Sequence, residues 1–373
     1  MKRLIGTKKL RYIRRARERE RHRIRRSLGA NSRQLRLARI IAQHKDQRPP
    51  LAAVLNRIPL RVPKILSLKD NYQETIDLVD SIRNYALEQY FPVELFFDEV
   101  EYIETAALAV LTAEIHRCRN LRKINGKPAL SGYYPDNPEI GRQLQEIGFF
   151  RLLGIRDRYT DSELDDADRS KIVLPFLTDA LVTPERSAWF IDQLASLVED
   201  AVPMDERSKR YLQGAIVEAM KNAGEHAYKL KPQYQALGHR WWLTAAFDLE
   251  KREVSILLFD QGVGIPATLE PDLKAKVASV ASMEGLSPRD SLMIETATRT
   301  GQSSTGQAGR GKGFKTMRKF VDFCDDGDLI VYSNKGNYLY ARSGTQRADN
   351  DLSLGGTLIQ WRFRHSEPVM VAA

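Results

Sequence analysis

Val254-Ser255-Ile256-Leu257-Leu258-Phe259-Asp260-Gln261-Gly262-Val263-Gly264-Ile265-Pro266 is the stretch on which the reading of the fold turns. Val254 to Phe259 is apolar or β-branched apart from Ser255, the pattern of a buried strand. The strand stops on an aspartate. Two glycines at alternate positions follow, where backbone can approach a flat ligand with no Cβ in the way. Asp260 can accept a hydrogen bond from an exocyclic amine such as the adenine N6. Asp-x-Gly-x-Gly alone is a weak signal, because many turns use the same residues.

Upstream, the spacing predicts a helix over Asp205 to Tyr228. Glu218, Asn222 and Glu225 fall at i, i+4 and i+7 on one face, with His226 beside them and Leu212, Ile216, Ala219 and Ala223 forming the neighbouring apolar face. A carboxylate and an amide one turn apart suit a Mg-triphosphate: the amide oxygen can ligate the metal while the carboxylate accepts a proton. A plain solvated helix face reads equally well from these residues alone. Downstream, Gly309, Gly311 and Gly313 alternate ahead of a predicted helix, Phe314 to Phe323. Glycine amides at a helix start make an anion cradle, and Lys312 adds charge, although a glycine-rich linker looks the same. Gly355-Gly356-Thr357 then leads into a predicted strand ending at Phe363.

Taken in order, Glu-x-x-x-Asn, Asp-x-Gly-x-Gly, Gly-x-Gly-x-Gly and Gly-Gly-Thr resemble the nucleotide-binding boxes of the GHKL (Bergerat-fold) family, which holds DNA gyrase B, chaperone ATPases and histidine and anti-sigma kinases. The resemblance covers about half of the chain and implies a histidine kinase-like ATPase domain over 172–366. It implies ATP and Mg²⁺ as cofactors, with Asn222 on the metal and Glu218 as general base. Asp260 would read adenine in a pocket shaped by Gly262 and Gly264. Gly309, Gly311, Lys312 and Gly313 would wrap the phosphates, and Thr357 would support the adenine end. The stretch 268–308 would be a lid that orders on nucleotide.

The part from 59 to 156 alternates strand-like and helix-like segments, the mark of a small α/β unit. Phe96 to Leu111 is similar to the strand–turn–helix of STAS domains. In the anti-sigma antagonists of that family an Asp-Ser-Ser-Gly turn is phosphorylated by a GHKL kinase. Here it reads Glu104-Thr105-Ala106-Ala107, which leaves Thr105 as a phosphoacceptor candidate or, more simply, as a helix N-cap. The fold expected is thus α/β (an α+β sandwich): a STAS-like unit, a linker over 157–171, and a Bergerat-type unit.

Residues 1–58 form a basic arm. Of the net charge of +10, positions 1–48 carry +15 (18 Lys/Arg against 3 acidic residues), so the rest carries −5. Such an arm suits nucleic acid or another polyanion, with steep salt dependence, or a solvated tail. Apolar runs are too short for a membrane span. The opening residues hold no apolar block of the secretory kind, and two distant cysteines, Cys118 and Cys324, fit a reducing cytoplasm. A histidine kinase is the poorer variant, since His22, His44 and His116 each read better as an ordinary surface histidine and His116 lacks the proline-containing context of that family. Two functions stay open: a Mg-ATP-driven regulator that hydrolyses ATP or phosphorylates protein Ser/Thr, or an ATP-gated nucleic-acid clamp. A protein partner or substrate is expected, a homodimer among the possibilities.

Overall fold

The computed structural model describes residues 57–124, 127–156, 170–182, 184–199, 201–230, 237–283, 289–300 and 313–364. The basic arm, most of the expected linker and the loop carrying Gly309, Gly311 and Lys312 lie outside them.

The first unit is built on a parallel three-stranded sheet, β1 (Ile58–Arg61), β2 (Val93–Phe96) and β3 (Leu130–Gly132), in that order. Its helices are α1 (Tyr72–Arg83), prolonged by a π-helical turn over Asn84–Glu88, α2 (Thr105–Leu121) and α3 (Pro138–Glu146). Asn137 caps α3 by accepting from the Glu139 amide at 2.9 Å, and Pro138 stands at the first helical position, where its missing N–H costs nothing. Every residue of α2 from Thr105 to Ile115 is buried. A helix buried all round must be covered on all sides.

What covers α2 is the second unit. Its strands are β4 (Lys171–Val173), β5 (Leu177–Asp179), β6 (Trp241–Asp248), β7 (Glu253–Asp260), β8 (Asp326–Ser333), β9 (Gly336–Ala341), β10 (Gly344–Asp349) and β11 (Thr357–Arg364). They make one antiparallel sheet in the order β10-β9-β8-β11-β7-β6-β4, with β5 also paired to β6. Helices α4 (Pro184–Val198), α5 (Glu206–Glu225) and α8 (Gly313–Phe323) share one core with Trp241, Leu243, Ile256, Leu258, Val331 and Trp361. The alternate residues Trp242, Ala246, Leu257, Phe259, Ile330, Tyr332 and Leu358 join the core of the first unit instead. This is why the strands read as continuous apolar runs: both faces of the sheet are covered.

Three expectations change. The linker ends before Lys171, which already pairs with Asp248 in the sheet. The expected lid over 268–308 holds two helices among its described residues, α6 (Pro271–Met283) and α7 (Asp290–Thr300). Ile294 of α7 is fully buried in the helix-side core, and Ser291 donates through its amide to Asp349 at 3.0 Å, so α7 is packed onto the β9–β10 hairpin and is not a free flap. Thirdly, Thr105 is no N-cap. Glu104 takes that place, and its carboxylate accepts from the Ser67 hydroxyl (2.8 Å) and the Leu68 amide (2.7 Å). Among the described residues no helix is long and apolar enough to cross a membrane.

Candidate functional site

Three neighbouring strands end or begin on one row. β7 runs out at Asp260, opposite Thr357 at the start of β11, which in turn faces Ser333 at the end of β8. Asp260 is 5% exposed, and its carboxylate accepts from the Gly262 amide at 2.9 Å and from the Thr357 amide. Burial pushes its pKa up to about 7, with those two amide bonds pulling the other way. Thr357 and Ser333 share a hydrogen bond at 3.0 Å, and the Ser333 hydroxyl accepts from the Ile265 amide at 2.8 Å. Gly356 lets β11 begin here: at φ 155° a Cβ would stand 2.0 Å from the Asp260 carbonyl oxygen.

The glycine turn after Asp260 is pressed against the end of α5. The Val263 amide donates to the Ala227 carbonyl at 2.8 Å, and a Cβ on Gly262 would meet that oxygen at 2.3 Å. Gly264, at φ 82°, leaves room for Asn334, whose side chain donates to the Val263 carbonyl at 3.1 Å. One turn and a half back along α5 lies Asn222, whose carbonyl accepts from the Ala227 amide at 3.2 Å. Gly313, the first residue of α8, sits over the same face: a Cβ there would be 3.2 Å from Glu218 Oε2 and 3.8 Å from Asn222 Oδ1. Glu218 is paired with Lys221 at 3.1 Å. Gly214 allows the approach of the two helices, with Thr316 Cγ2 at 3.3 Å from where its Cβ would be.

Two groups therefore form, Asp260, Gly262 and Thr357 in one and Glu218, Asn222 and Gly313 in the other, and the backbone of Ala227, in contact with Gly262 and bonded to the Asn222 carbonyl, links them. Gly264 shapes the turn rather than meeting that helix face. Glu225 is exposed, while the His226 amide donates to the Asn222 carbonyl at 3.0 Å and its Nδ1 faces Lys229 Nζ at 3.4 Å. Residues that sequence reasoning passed over include Tyr228, whose hydroxyl accepts from the Gln261 amide (3.1 Å) and donates to the Arg240 carbonyl (2.7 Å). Ser333 and Asn334 are others. Their only sequence signal is a turn-forming Ser-Asn-Lys-Gly following a strand.

Thr105 is elsewhere. It is 9% exposed and lines a shallow cleft with Ala246, Asp248, Glu253 and Ser255, at the opposite end of β7 from Asp260. From Ser255 to Asp260 the strand advances about 17 Å at ~3.4 Å per residue.

The donors suit magnesium carried by a nucleotide. Mg²⁺ keeps several waters and takes one or two protein oxygens beside phosphate. The Asn222 side-chain oxygen would supply that one protein ligand, with the Glu218 carboxylate close by on the same helix face and both beside the Gly313 backbone. Among the described residues no cluster of three or more His, Cys, Asp and Glu could hold a metal unaided. No family model and no curated protein matches the chain.

Proposed function

We propose that the chain is a Mg-ATP-binding regulator of the GHKL type, with a STAS-like unit docked on its sheet. The observation that carries the reading is the presence of two half-sites linked through Ala227 at the end of α5. One is a buried carboxylate flanked by glycines, suited to an adenine amine. The other is a helix amide and carboxylate facing the glycine that opens α8, suited to Mg-phosphate. Gly309, Gly311 and Lys312 would complete the phosphate cradle in that reading. Glu218 would orient or deprotonate the attacking water, a positioning role that phosphoryl transfer chiefly requires.

The placement of Thr105 favours hydrolysis or ligand-driven switching over transfer to the chain's own STAS-like unit. It lies at the far end of β7 and is buried against the sheet. The test is incubation with γ-labelled ATP and Mg²⁺. Released phosphate is expected from wild type, and Asn222→Ala should abolish Mg-dependent binding while leaving the circular-dichroism spectrum unchanged. Label accumulating on Thr105 would sink the preference for hydrolysis, and no affinity for Mg-ATP in a folded sample would sink the whole reading.

A further inference from the structure

The first unit sends three charged side chains to the back of the candidate nucleotide site. Glu114 of α2 is 1% exposed and accepts from Arg117 at 2.5 Å and Arg83 at 3.3 Å, while Arg83 also pairs with Asp80 at 2.5 Å. Two cations and two anions thus cancel in a buried cluster, and each member is costly to leave alone. Burial by itself would raise the pKa of Glu114, but Arg117 and Arg83 outweigh it and hold it below the ordinary carboxylate range.

This cluster does not stop at the boundary of its own unit. Gln261 Nε2 donates to Glu114 Oε2 at 3.1 Å, joining residues 147 apart in sequence. Gln261 follows Asp260 directly, is 2% exposed, and its Oε1 is buried without a donor among the described residues. The bond to Glu114 is therefore what fixes its side chain. The amide orientation is dictated too, since a carboxylate accepts only and must face the NH₂ group. Arg83 reaches the second strand of the site in the same way. Gly355, at φ 76°, lies so close that a Cβ would be 2.9 Å from Arg83 Nη2. Both backbone segments that hold the Asp260 carboxylate, the end of β7 and the approach to β11, thus rest on side chains of the other unit.

We propose that Gln261 is a positioning residue that couples nucleotide occupancy to the first unit through Glu114. The inference rests on the Mg-ATP reading of the site. Ligand at Asp260 tightens the turn beginning at Gln261, and Gln261 transmits this to α2 through its side-chain bond to Glu114. Coupling of this kind is reciprocal, so whatever binds or displaces the first unit changes nucleotide affinity by the same factor. The first unit then acts as the input element of the switch, and its STAS-like surface, rather than Thr105, is where a protein partner would act.

Hydrogen exchange on the full chain tests this, with Mg²⁺ and a non-hydrolysable ATP analogue. In wild type the analogue should slow exchange at the end of β7 and also in α2 around Glu114, each about five-fold or more. Gln261→Met keeps the side-chain volume and leaves Glu114 its two arginines, so the fold is retained. In this variant the protection of β7 should persist while that of α2 disappears. Protection of α2 that survives in Gln261→Met overturns the proposal, and so does analogue-induced protection of wild type that is confined to the second unit. An analogue that protects neither unit overturns the nucleotide site itself, and the coupling with it.

Discussion

Asp260 combines two demands that conflict. In the Mg-ATP reading its carboxylate accepts best from an adenine amine when ionised, yet this group is buried and pushed up to about 7. Because its pKa is higher in the folded than in the unfolded chain, the folded state binds the extra proton. Its contribution to stability is full below about pH 4, is lost as pH rises to about 7, and then stays lost. At ~1.4 kcal/mol per unit the loss is of order 4 kcal/mol. Asp260→Asn removes this titration while its carbonyl oxygen can still accept from Gly262. The difference in urea midpoint between wild type and Asp260→Asn should therefore move in favour of the variant between pH 5 and pH 8. Equal pH dependence in the two proteins would refute the assignment. The same chemistry predicts that nucleotide binding near pH 7 releases up to about half a proton, the share the group still holds at its own pKa, since an amine donor favours the ionised form. Calorimetry in buffers of different ionisation enthalpy reads this directly. Asp260→Asn should release none and should bind about 10²-fold more weakly, in line with the 1–3 kcal/mol of a hydrogen bond to a charged group.

Two glycines separate the roles of the elements that meet at the site. Gly356 stands at φ 155° with its would-be Cβ 2.0 Å from the Asp260 carbonyl, a backbone atom held in the sheet and unable to yield. Gly356→Ala should cost several kcal/mol, on the scale of forced overpacking and strain, and lower the melting temperature by ten degrees or so. Gly313 differs. Alanine is the better helix former by about 1 kcal/mol, and the nearest atom is the end of the half-buried Glu218 side chain at 3.2 Å, which can rotate. Gly313→Ala should melt no lower than wild type yet hydrolyse ATP at least about ten-fold more slowly, because Glu218 is displaced. A variant that melts well below wild type, or turns over normally, would show that Gly313 serves the packing of α8 and not the site. The elements that were legible in sequence are those with strong periodicity or capping: α5 with Asp205 at its start, β7, and α8 behind its glycines. The β9–β10 hairpin was not legible. All six residues of β10 are exposed, so Gly344–Asp349 carries no alternation to read. Helix α7 falls inside the lid that the sequence predicts because its order comes from tertiary contacts, Ser291 to Asp349 and Lys335 to Asp290, that no local spacing announces.

At the scale of the whole molecule, the sequence suggested two units but not that they share a core. The strands did carry half of that message, since a β7 that is apolar at nearly every position must be covered on both sides. What covers it could not be read, because the Glu114–Gln261 bond and the packing of α2 on β6 and β7 join positions with no fixed spacing. Removing the first unit would lay bare Val173, Trp242, Ala246, Leu257, Phe259, Ile330, Tyr332, Leu354 and Leu358. Their transfer to water is worth on the order of 10–20 kcal/mol as an upper bound, as large as the whole net stability of a typical domain. The two units should therefore melt as one. All four tryptophans, Trp189, Trp241, Trp242 and Trp361, lie in the second unit, so their fluorescence follows it alone, whereas far-ultraviolet circular dichroism follows both. In a urea titration of the full chain the two signals should give coincident curves, and Mg-ATP at about 100 times its dissociation constant should shift both by about 2.7 kcal/mol. Curves that separate, with nucleotide moving only the fluorescence, would mean that the first unit unfolds independently and that the covered face of the sheet can stand alone.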